Sequence, residues 1–298
     1  MILVAGATGL LGGHVVELLV EGGHDVRCLA RSRAALPPSW QGRVAVVDAD
    51  LTAPASLREA CEGVDTVVAT ATAIARRLAG ERGLNIRDVD EQGMINLVDA
   101  AEGSGASRFV YLSYAGLTPV LGTPFERAKL AVEERLGRSA MRTVIVRPDP
   151  FQEVHLTSLA GFDIGRGRVL VFGRGSTPQR WVSVHDVARL VVAVATEPEP
   201  PALVEFGGPE ELSKVQAVAV AERVTGRRIK IRRMPLWVAR VGMRLLARRN
   251  DALASLFGLG ILQETSHGAW DDGPLRARGI VPSGATEFVE RQARALTG

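Results

Sequence analysis

The sequence has little of what disulfide-linked, metal-binding and membrane-spanning proteins require. Its 298 residues include two cysteines, Cys28 and Cys61, which stand in separate apolar segments without a CxxC pair or a nearby histidine cluster. We therefore expect buried thiols, no disulfide framework and no metal site. No apolar run reaches the roughly twenty residues that cross a bilayer, and the first residues lack the basic head of a signal peptide, which predicts a cytoplasmic protein.

Lysine is also scarce, and the charge is close to balanced. Three lysines, Lys129, Lys214 and Lys230, stand among 36 basic residues, and the formal net charge is +3. This arginine bias resembles a codon preference more than selection for nucleic acid, and no helix-turn-helix or zinc-finger pattern accompanies it. We expect no nucleic-acid partner, and a lysine in a motif position is hard to attribute to chance.

Strand-like and helix-like segments alternate through the first half of the chain. Short apolar runs such as Ile2–Ala5 and Thr66–Ala69 are separated by segments of helical periodicity such as residues 10–20 and 85–101. Parallel strands need a crossover connection, which in such folds is a helix. The order therefore predicts an α/β fold, a Rossmann-type doubly wound parallel sheet with helices on both faces.

The regular alternation ends after Pro148. A glycine- and arginine-rich hairpin segment follows at residues 165–175, and helix and strand patterns return over residues 184–206. No repeat or long polar linker separates the parts, so we interpret the chain as one domain whose smaller lobe covers the carboxyl ends of the strands. The predicted Rossmann core comprises residues 1–150 and 184–208, and the predicted substrate lobe comprises residues 151–183 and 209–298.

A glycine-rich turn, Gly6-Ala-Thr-Gly9-Leu-Leu-Gly12, directly follows the first strand and opens the first helix. This placement directs backbone N–H groups and the positive helix end at a pyrophosphate. Gly6 permits the tight turn, Gly9 removes a Cβ that would obstruct the phosphates, and Gly12 lets helix and strand pack closely. The turn predicts dinucleotide binding within a single NAD(P)-binding domain. Its predicted cofactor-binding residues are Gly6, Thr8, Gly9, Leu10 and Leu11.

The end of the second strand indicates which coenzyme binds. An acid there would bond the ribose 2'-hydroxyl of NAD, whereas an arginine would neutralise the 2'-phosphate of NADP. The strand ends with Arg31 and Ser32, and Asp25 lies at its opposite end, so no acid is expected at the ribose. A guanidinium beside a hydroxyl suits a phosphate dianion, which favours NADPH over NAD.

These motifs and several later ones resemble the atypical branch of the short-chain dehydrogenase/reductase superfamily, the NmrA-like and isoflavone-reductase-like proteins. The resemblance covers nearly the whole chain. Besides the glycine-rich turn, the segments that carry it are Asp50-Leu51, Ala69-Thr70-Ala71, Asp90-x-x-Gly93-x-x-Asn96-Leu-Val-Asp-Ala-Ala101, Phe109-Val-Tyr-Leu-Ser113, Lys129, Arg147-Pro148 and Trp181-Val-Ser-Val-His-Asp-Val-Ala188.

The resemblance implies a reductase fold and roles for individual residues. Lys129 would touch the nicotinamide ribose, and Asn96 would fix its helix against the sheet. The other cofactor contacts that the resemblance implies are Asp50 and Leu51 at the adenine, Thr70 and Ala71 along the cofactor channel, and Pro148.

One position departs from the superfamily. A tyrosine four residues before the lysine is the superfamily's proton donor, with its pKa lowered by that lysine, and this position holds Phe125. A phenyl ring cannot transfer a proton. The standard alcohol/ketone dehydrogenase mechanism is therefore in doubt, whereas the atypical branch, where the lysine or a substrate-derived group can do the acid/base work, stays open.

Lys129 and Ser113 are the predicted catalytic residues. Lys129 could hold the cofactor and, if burial lowers its pKa, act as general acid or base, or it could be a solvated helix lysine. Ser113 could donate to a carbonyl or imine acceptor, or satisfy its own backbone. Tyr114 could replace the missing phenol, and His155 could titrate near neutral pH and face the substrate. Asp149 and Glu153 could form a pair of carboxylates if the backbone turns them together, but solvated loop acids are the favoured interpretation.

The carboxyl-terminal part carries a basic amphipathic segment. Residues 226–250 contain nine basic residues and no acid, and Arg240, Arg244 and Arg248 recur every four residues among apolar side chains. Such a helix could lie on an anionic membrane surface or contact a protein. The interpretation favoured by the sequence is a lobe helix with its apolar face packed inward and its arginines in water, which would suit a hydrophobic substrate.

Together these features predict an NADPH-dependent reductase that transfers hydride to a small hydrophobic carbonyl, quinone, enone or imine acceptor. The competing hypothesis is a non-catalytic NAD(P)-binding redox sensor, regulator or assembly factor, motivated by Phe125 and by related family members of that kind. Both hypotheses predict cofactor binding, so turnover separates them and binding does not.

Overall fold

The computed structural model describes residues 1–31, 36–78, 81, 83–268 and 270–297. The chain divides into two units, and each is built from several stretches of sequence. Unit 1 comprises Met1–Ser113, Leu117–Val146 and Ala188–Val204. Unit 2 comprises Tyr114–Gly116, Arg147–Val187 and Glu205–Gly298.

A seven-stranded sheet in the order β3-β2-β1-β4-β5-β6-β9 forms the framework of unit 1. The pairings of β1 with β2 and β4, of β2 with β3, of β4 with β5 and of β5 with β6 are parallel. This order is that of dinucleotide-binding folds, and the predicted Rossmann-type sheet is confirmed. The strands are β1 (Ile2–Ala5), β2 (Val26–Ala30), β3 (Ala45–Asp48), β4 (Thr66–Ala69), β5 (Arg108–Leu112), β6 (Arg142–Pro148) and β9 (Leu203–Phe206).

The central strands are buried on both faces, as their continuous apolar sequences require. Every residue of β1 and β4 is buried, which is typical of parallel strands covered by helices. The register pairs Ala5 with Leu29 on one side and with Ala69 on the other. The carboxyl ends of β1, β2 and β4 are therefore level, and the residues that follow them meet at one edge of the sheet.

One helical segment of unit 1 differs locally from its prediction. Residues 85–101 were expected to form one regular helix, but a π-helical segment at Arg87–Gly93 precedes the α-helix. Such widened turns are frequent at functional sites. The helices are α1 (Leu10–Glu21), α2 (Pro54–Cys61), α3 (Ile74–Leu78), α4 (Met94–Gly103), α5 (Pro124–Leu136) and α7 (Val184–Thr196), the last of which begins in unit 2.

Unit 2 contains a three-stranded sheet in the order β10-β8-β7. Strands β7 (Phe162–Asp163) and β8 (Arg168–Phe172) form an antiparallel hairpin, and β10 (Lys230–Met234) pairs with β8 in parallel. In the described part of the chain, no helix has both the length and the apolar character needed to cross a bilayer. The helices of this unit are α6 (Gln152–His155), α8 (Lys214–Thr225), α9 (Leu236–Leu246), α10 (Asp251–Thr265), α11 (Gly273–Arg276) and α12 (Ala285–Arg294).

Both cysteines are buried in the apolar core of unit 1, as expected. Burial raises the pKa of the Cys28 and Cys61 thiols to about 11. Since the thiolate is the reactive form, neither residue is a nucleophile at neutral pH.

Candidate functional site

The glycine-rich turn is tight and closely packed, and its geometry fits a pyrophosphate. Gly6 has a φ of +93°, a conformation that favours glycine, and a Cβ there would lie 2.6 Å from the backbone nitrogen of Ala71. The Gly9 N–H donates to the Gly6 carbonyl over 2.9 Å and closes the turn. A Cβ on Gly12 would overlap that same carbonyl oxygen. The backbone therefore excludes side chains at the positions where the sequence predicted a tight turn and close packing.

Helix α1 begins at this turn without a neutralising group. Gly9 occupies the N-cap position, no side chain caps the helix and the first turn has no acid. The first N–H groups therefore lack partners within the helix, and the positive end of its dipole is available to an anion. Leu10 is exposed, whereas the Leu11 side chain is buried, so Leu11 can reach a cofactor only through its backbone. These donors fit a dinucleotide pyrophosphate.

Thr70 and Ala71 follow β4 and lie against the glycine-rich turn. The Thr70 N–H and hydroxyl both donate to the Ala5 carbonyl, over 2.9 and 3.1 Å. These two hydrogen bonds to the last residue of β1 fix Thr70 beside Gly6. The structure thus brings the two predicted channel residues to the cofactor edge of the sheet.

The residues predicted to border the adenine are held by local hydrogen bonds. The Asp50 carboxylate accepts from the Thr52 N–H over 2.8 Å and from the Thr52 hydroxyl over 2.7 Å. Leu51 is buried, and its carbonyl accepts from the Asn96 side chain over 3.1 Å. Asn96 therefore ties α4 to the segment after β3, which is the structural role that the resemblance implied. The contacts of Asp50 and Leu51 with adenine stay predictions.

An acid that the sequence did not predict lies near Arg31. The Arg31 guanidinium stands 3.9 Å from the Glu81 carboxylate, and Glu81 also forms an ion pair with Arg76 of α3. Sequence reasoning missed Glu81 because this acid comes from the segment after α3 and not from the second strand. Ser32, predicted to assist Arg31, lies outside the described residues. The cation predicted to bind a 2'-phosphate therefore has a carboxylate beside it.

Helix α5 directs Lys129 toward the sheet. The Thr123 hydroxyl caps the helix by accepting the Glu126 N–H over 3.1 Å, and Pro124 occupies its first turn. Val132 and Leu136 are fully buried members of the core. Residues three and seven positions apart share one face of a helix, so Lys129 lies on the buried face of α5.

Lys129 is 4% exposed, and its ammonium donates to the Leu112 carbonyl over 2.7 Å. It lies 4.6 Å from the centre of the Tyr111 ring. Burial lowers the pKa of Lys129 to about 8, and the negative charges of Asp90 and Glu133 oppose that shift. The alternative of a solvated helix lysine is wrong, and the ammonium is held at the carboxyl end of β5.

Ser113 follows directly after β5 and is buried. Its N–H donates to the Val146 carbonyl over 2.8 Å, whereas its hydroxyl has no hydrogen-bond partner among the described residues. The alternative in which the hydroxyl satisfies its own backbone is therefore wrong. A buried hydroxyl without a partner is costly unless a ligand or water completes it.

Two aromatic residues near Lys129 do not replace the missing tyrosine. Phe125 lies 5.1 Å from the Lys129 ammonium, measured to the ring centre. The Tyr111 side chain is fully buried, its hydroxyl has no partner in the described part of the chain, and burial raises its pKa well above 10. Tyr111 therefore stays protonated and cannot cycle as an acid and base at neutral pH.

The buried acid Asp90 also belongs to this site, although sequence reasoning assigned it no role. It is 1% exposed, sits in the π-helical segment Arg87–Gly93 and accepts the Ala73 N–H over 2.9 Å. Its charge raises the pKa of Lys129 and so opposes the effect of burial. The Asp90-x-x-Gly93 spacing belonged to the family resemblance and was the signal that pointed to this residue.

The candidates in unit 2 have structural partners. The His155 ring nitrogen Nδ1 lies 3.1 Å from the Gln263 amide, and burial lowers the pKa of His155 to about 3, assisted by the charge of Lys214. The expectation that His155 titrates near neutral pH is wrong. Pro148 ends β6, and its carbonyl accepts the Ala115 N–H over 2.9 Å.

Asp149 is buried, contrary to the expectation of a solvated acid. It is 6% exposed and accepts hydrogen bonds from the Arg180 N–H over 2.8 Å and from the Trp270 side chain. Burial raises the pKa of Asp149 to about 7, although both hydrogen bonds oppose the shift. Glu153 instead accepts the Val184 N–H over 3.0 Å at the start of α7. The two carboxylates therefore have separate structural partners.

Comparison with known proteins assigns the family. A family model described as NAD(P)H-binding matches residues 6–198. The chain belongs to the NAD(P)H-binding family. The resemblance to atypical, NmrA-like short-chain dehydrogenase/reductases is confirmed.

Three relatives resemble most of this chain but are longer than it. The chain is 28% identical to the Arabidopsis thaliana protein High Chlorophyll Fluorescence Phenotype 244 over 82% of its own length and 60% of that protein's. It is 27% identical to the photosystem II assembly factor Ycf39 of Synechocystis over 80% of this chain and 72% of the factor. It is 30% identical to the divinyl chlorophyllide a 8-vinyl-reductase of Zea mays over 86% of this chain and 66% of the enzyme.

A solved structure shares the fold over the whole chain. The NADPH-dependent quinone oxidoreductase QOR2 of Escherichia coli superposes with a TM-score of 0.75 and 20% identity, over 98% of this chain and 99% of that one. At this identity the similarity shows the fold alone.

Proposed function

We propose that the protein is an NADPH-dependent reductase that transfers hydride to a small hydrophobic carbonyl, quinone, enone or imine acceptor. The observation that carries this proposal is the pair formed by the buried Lys129 ammonium and the unpartnered Ser113 hydroxyl at the carboxyl end of β5. Both groups belong to the unit that contains the glycine-rich turn. The maize relative, named for reduction of a vinyl group, supports an unsaturated acceptor.

The cofactor contacts proposed for this chain follow the geometry of unit 1. Backbone groups of the glycine-rich turn would hold the pyrophosphate, and Arg31 would bind the 2'-phosphate in place of its ion pair with Glu81. Bound NADPH would supply the hydride from C4 of its nicotinamide. The remaining proposed contacts in this unit are Asp50, Leu51, Thr70, Ala71 and Lys129.

The protein's part in the reaction is orientation and a proton. The Ser113 hydroxyl would donate a hydrogen bond to the oxygen or nitrogen of the acceptor, since no described residue uses it. Lys129 holds its proton at neutral pH because its pKa of about 8 lies above that value. It lies close enough to neutrality to release the proton to a developing anion, so we assign Lys129 as the general acid.

Turnover tests this proposal. Purified protein mixed with NADPH and a panel of quinones, enones and imines is expected to consume NADPH, followed by the nicotinamide absorbance. Lys129→Ala should abolish consumption, whereas Tyr114→Phe and the matched control Lys230→Ala, at an exposed lysine of unit 2, should retain it. Equal loss in Lys129→Ala and Lys230→Ala would refute the role of Lys129.

A second candidate is a non-catalytic NAD(P)H-binding regulator or assembly factor. Phe125, at the position of the usual proton donor, favours it, as does the similarity to a protein named as a photosystem II assembly factor. Tight NADPH binding without consumption on the whole panel would support this candidate and contradict the reductase.

A further inference from the structure

Helix α9 of unit 2 is apolar on two opposite sides. Ala239 and Met243 are buried on the side that packs into the unit. A second group of large apolar side chains on the same helix is exposed to solvent. Its members are Trp237, Val241 and Leu245, which are 68%, 49% and 72% exposed.

The exposed apolar residues form one continuous stripe. Trp237, Val241 and Leu245 are four residues apart, so they lie above one another over about 12 Å of the helix. At about 100° per residue, the centre of this stripe lies about 180° from the midpoint between Ala239 and Met243. A helix that only covers a core needs one apolar face. Packing within unit 2 therefore does not account for the stripe.

Positive charge surrounds the stripe. Arg240 and Arg244 lie along one edge of it, Arg248 follows in the turn after the helix, and all three are exposed. The preceding strand β10 also exposes Arg232 and Arg233. Residues 226–250 contain no acid, so every charge that this segment itself carries is positive. The sequence-based expectation of arginines in water is met, but the expectation that the apolar residues all pack inward is wrong.

We propose that the outer side of α9 is an interfacial anchor that rests on an anionic lipid surface. The stripe would enter the boundary between headgroups and acyl chains, and the arginines would bind lipid phosphates. Tryptophan at the start of the stripe suits the interface, where indole places its ring in the apolar layer and its N–H in the polar one. The occupant is a bilayer because the segment combines an exposed apolar stripe with charges of one sign, and an anionic lipid layer offers both an apolar interior and negative phosphates. A protein would need a groove of complementary shape and charge. This proposal stands independently of the reductase proposal.

Vesicle binding by the full chain tests the anchor. We expect the protein to sediment with vesicles that contain phosphatidylglycerol and to stay in solution with vesicles of phosphatidylcholine alone. Added salt should weaken the binding, because exposed charges are screened. Trp40 and Trp181 are buried and Trp270 is partly buried, whereas Trp237 is 68% exposed. Contact with lipid should therefore shift the tryptophan emission to shorter wavelength, and Trp237→Phe should remove that shift.

Matched variants test whether α9 itself, and not exposed charge or apolar surface elsewhere on the protein, is responsible for vesicle binding. Arg240→Gln/Arg244→Gln should weaken binding to anionic vesicles about 25-fold, at about fivefold per charge. The control Arg291→Gln/Arg294→Gln removes two exposed arginines of α12 and should leave binding unchanged. Trp237→Ser/Leu245→Ser should abolish binding, whereas Leu159→Ser/Val281→Ser, at exposed apolar residues elsewhere in unit 2, should not.

Three results would overturn the anchor. They are absence of binding to every vesicle, equal binding to neutral and anionic vesicles, and equal effects of the α9 variants and their controls. Self-association that Trp237→Ser/Leu245→Ser abolishes, without lipid binding, would assign the stripe to a second copy of the chain and overturn the lipid proposal. Thermal unfolding of each variant, followed by circular dichroism, checks that the fold is retained, because all the changed residues lie in unit 2.

Discussion

Both units of the molecule bury ionisable groups, but they hold them differently. Among the described residues, the Lys129 ammonium of unit 1 donates a hydrogen bond to a backbone carbonyl, and the Ser113 hydroxyl has no hydrogen-bond partner. In unit 2, His155 is paired with a glutamine and Asp149 with two N–H donors. Burial shifts the pKa in both units, so a shifted pKa alone does not mark a reactive site. What sets Lys129 apart is its position at the carboxyl end of β5, in the unit that contains the glycine-rich turn.

The largest effect is expected from a substitution that disrupts the glycine-rich turn of unit 1. Gly12→Ala places a methyl group on the Gly6 carbonyl oxygen, and we expect NADPH binding to be lost. The matched control is Gly13→Ala, where the nearest neighbour of a new Cβ would lie 3.7 Å away. That change should preserve binding and raise the free energy of unfolding by about 0.5–1 kcal/mol, because alanine favours helix. Calorimetric titration with NADPH and chemical denaturation measure both. Retained NADPH binding in Gly12→Ala would contradict the proposed pyrophosphate site at this turn.

The next effect concerns the proton at Lys129. Removal of a general acid slows turnover by about 100- to 10,000-fold, so Lys129→Ala should lower kcat within that range. If the protonated form is required, the kcat of the native protein should fall as pH rises through about 8. Steady-state kinetics across this pH range provide the measurement. A kcat that rises through the same range would show that the neutral amine is the active form.

A third prediction tests the structural role of Asp149. Its folded pKa of about 7 lies above the usual value near 4. The folded state therefore favours the protonated acid, and this contribution to stability is full below about pH 4 and lost as pH rises to about 7. The loss amounts to at most about 4 kcal/mol.

Asp149→Asn should remove this part of the pH dependence, measured as the free energy of unfolding at about pH 5 and about pH 8. Asp48→Asn, at an exposed acid of β3, is the control. The same pH dependence in Asp149→Asn and the native protein would show that Asp149 does not titrate differently on folding.

The smallest expected effect concerns coenzyme choice at the edge of unit 1. In the proposed NADPH complex Glu81 would compete with the 2'-phosphate for Arg31, and exposed ion pairs are weak. Glu81→Gln should therefore strengthen NADPH binding by only about two- to fivefold and leave NADH binding unchanged. Competitive titration of the two coenzymes measures this effect. An equal gain for NADH would mean that Glu81 does not face the 2'-position.

Local patterns predicted much of unit 1, because its strands, its glycine-rich turn and the position of Lys129 on its helix depend on residues that are close in sequence. The apolar runs fixed β1 and β4, and the spacing of Lys129, Val132 and Leu136 was visible in the sequence. The proximity of Glu81 to Arg31 was not, because it depends on how the chain continues after α3. Burial of Asp149 and His155 depends on long-range contacts with Arg180, Trp270 and Gln263, which no local pattern encodes.

The sequence of α9 carried a further ambiguity. Its periodicity predicted a helix with apolar residues and regularly spaced arginines, and this helix is present. The pattern has apolar residues on opposite sides, and only the packing of Ala239 and Met243 decides which side is exposed.

The central claim is that unit 1 delivers hydride to an acceptor with Lys129 as the proton source. Incubation of the protein with NADPH deuterated at the transferable C4 position and the acceptor panel, followed by mass spectrometry of the products, tests this claim most directly. The account predicts a deuterated product with the native protein and with Lys230→Ala, and none with Lys129→Ala. NADPH binding without deuterium in any acceptor, or an equal yield from Lys129→Ala, would contradict it.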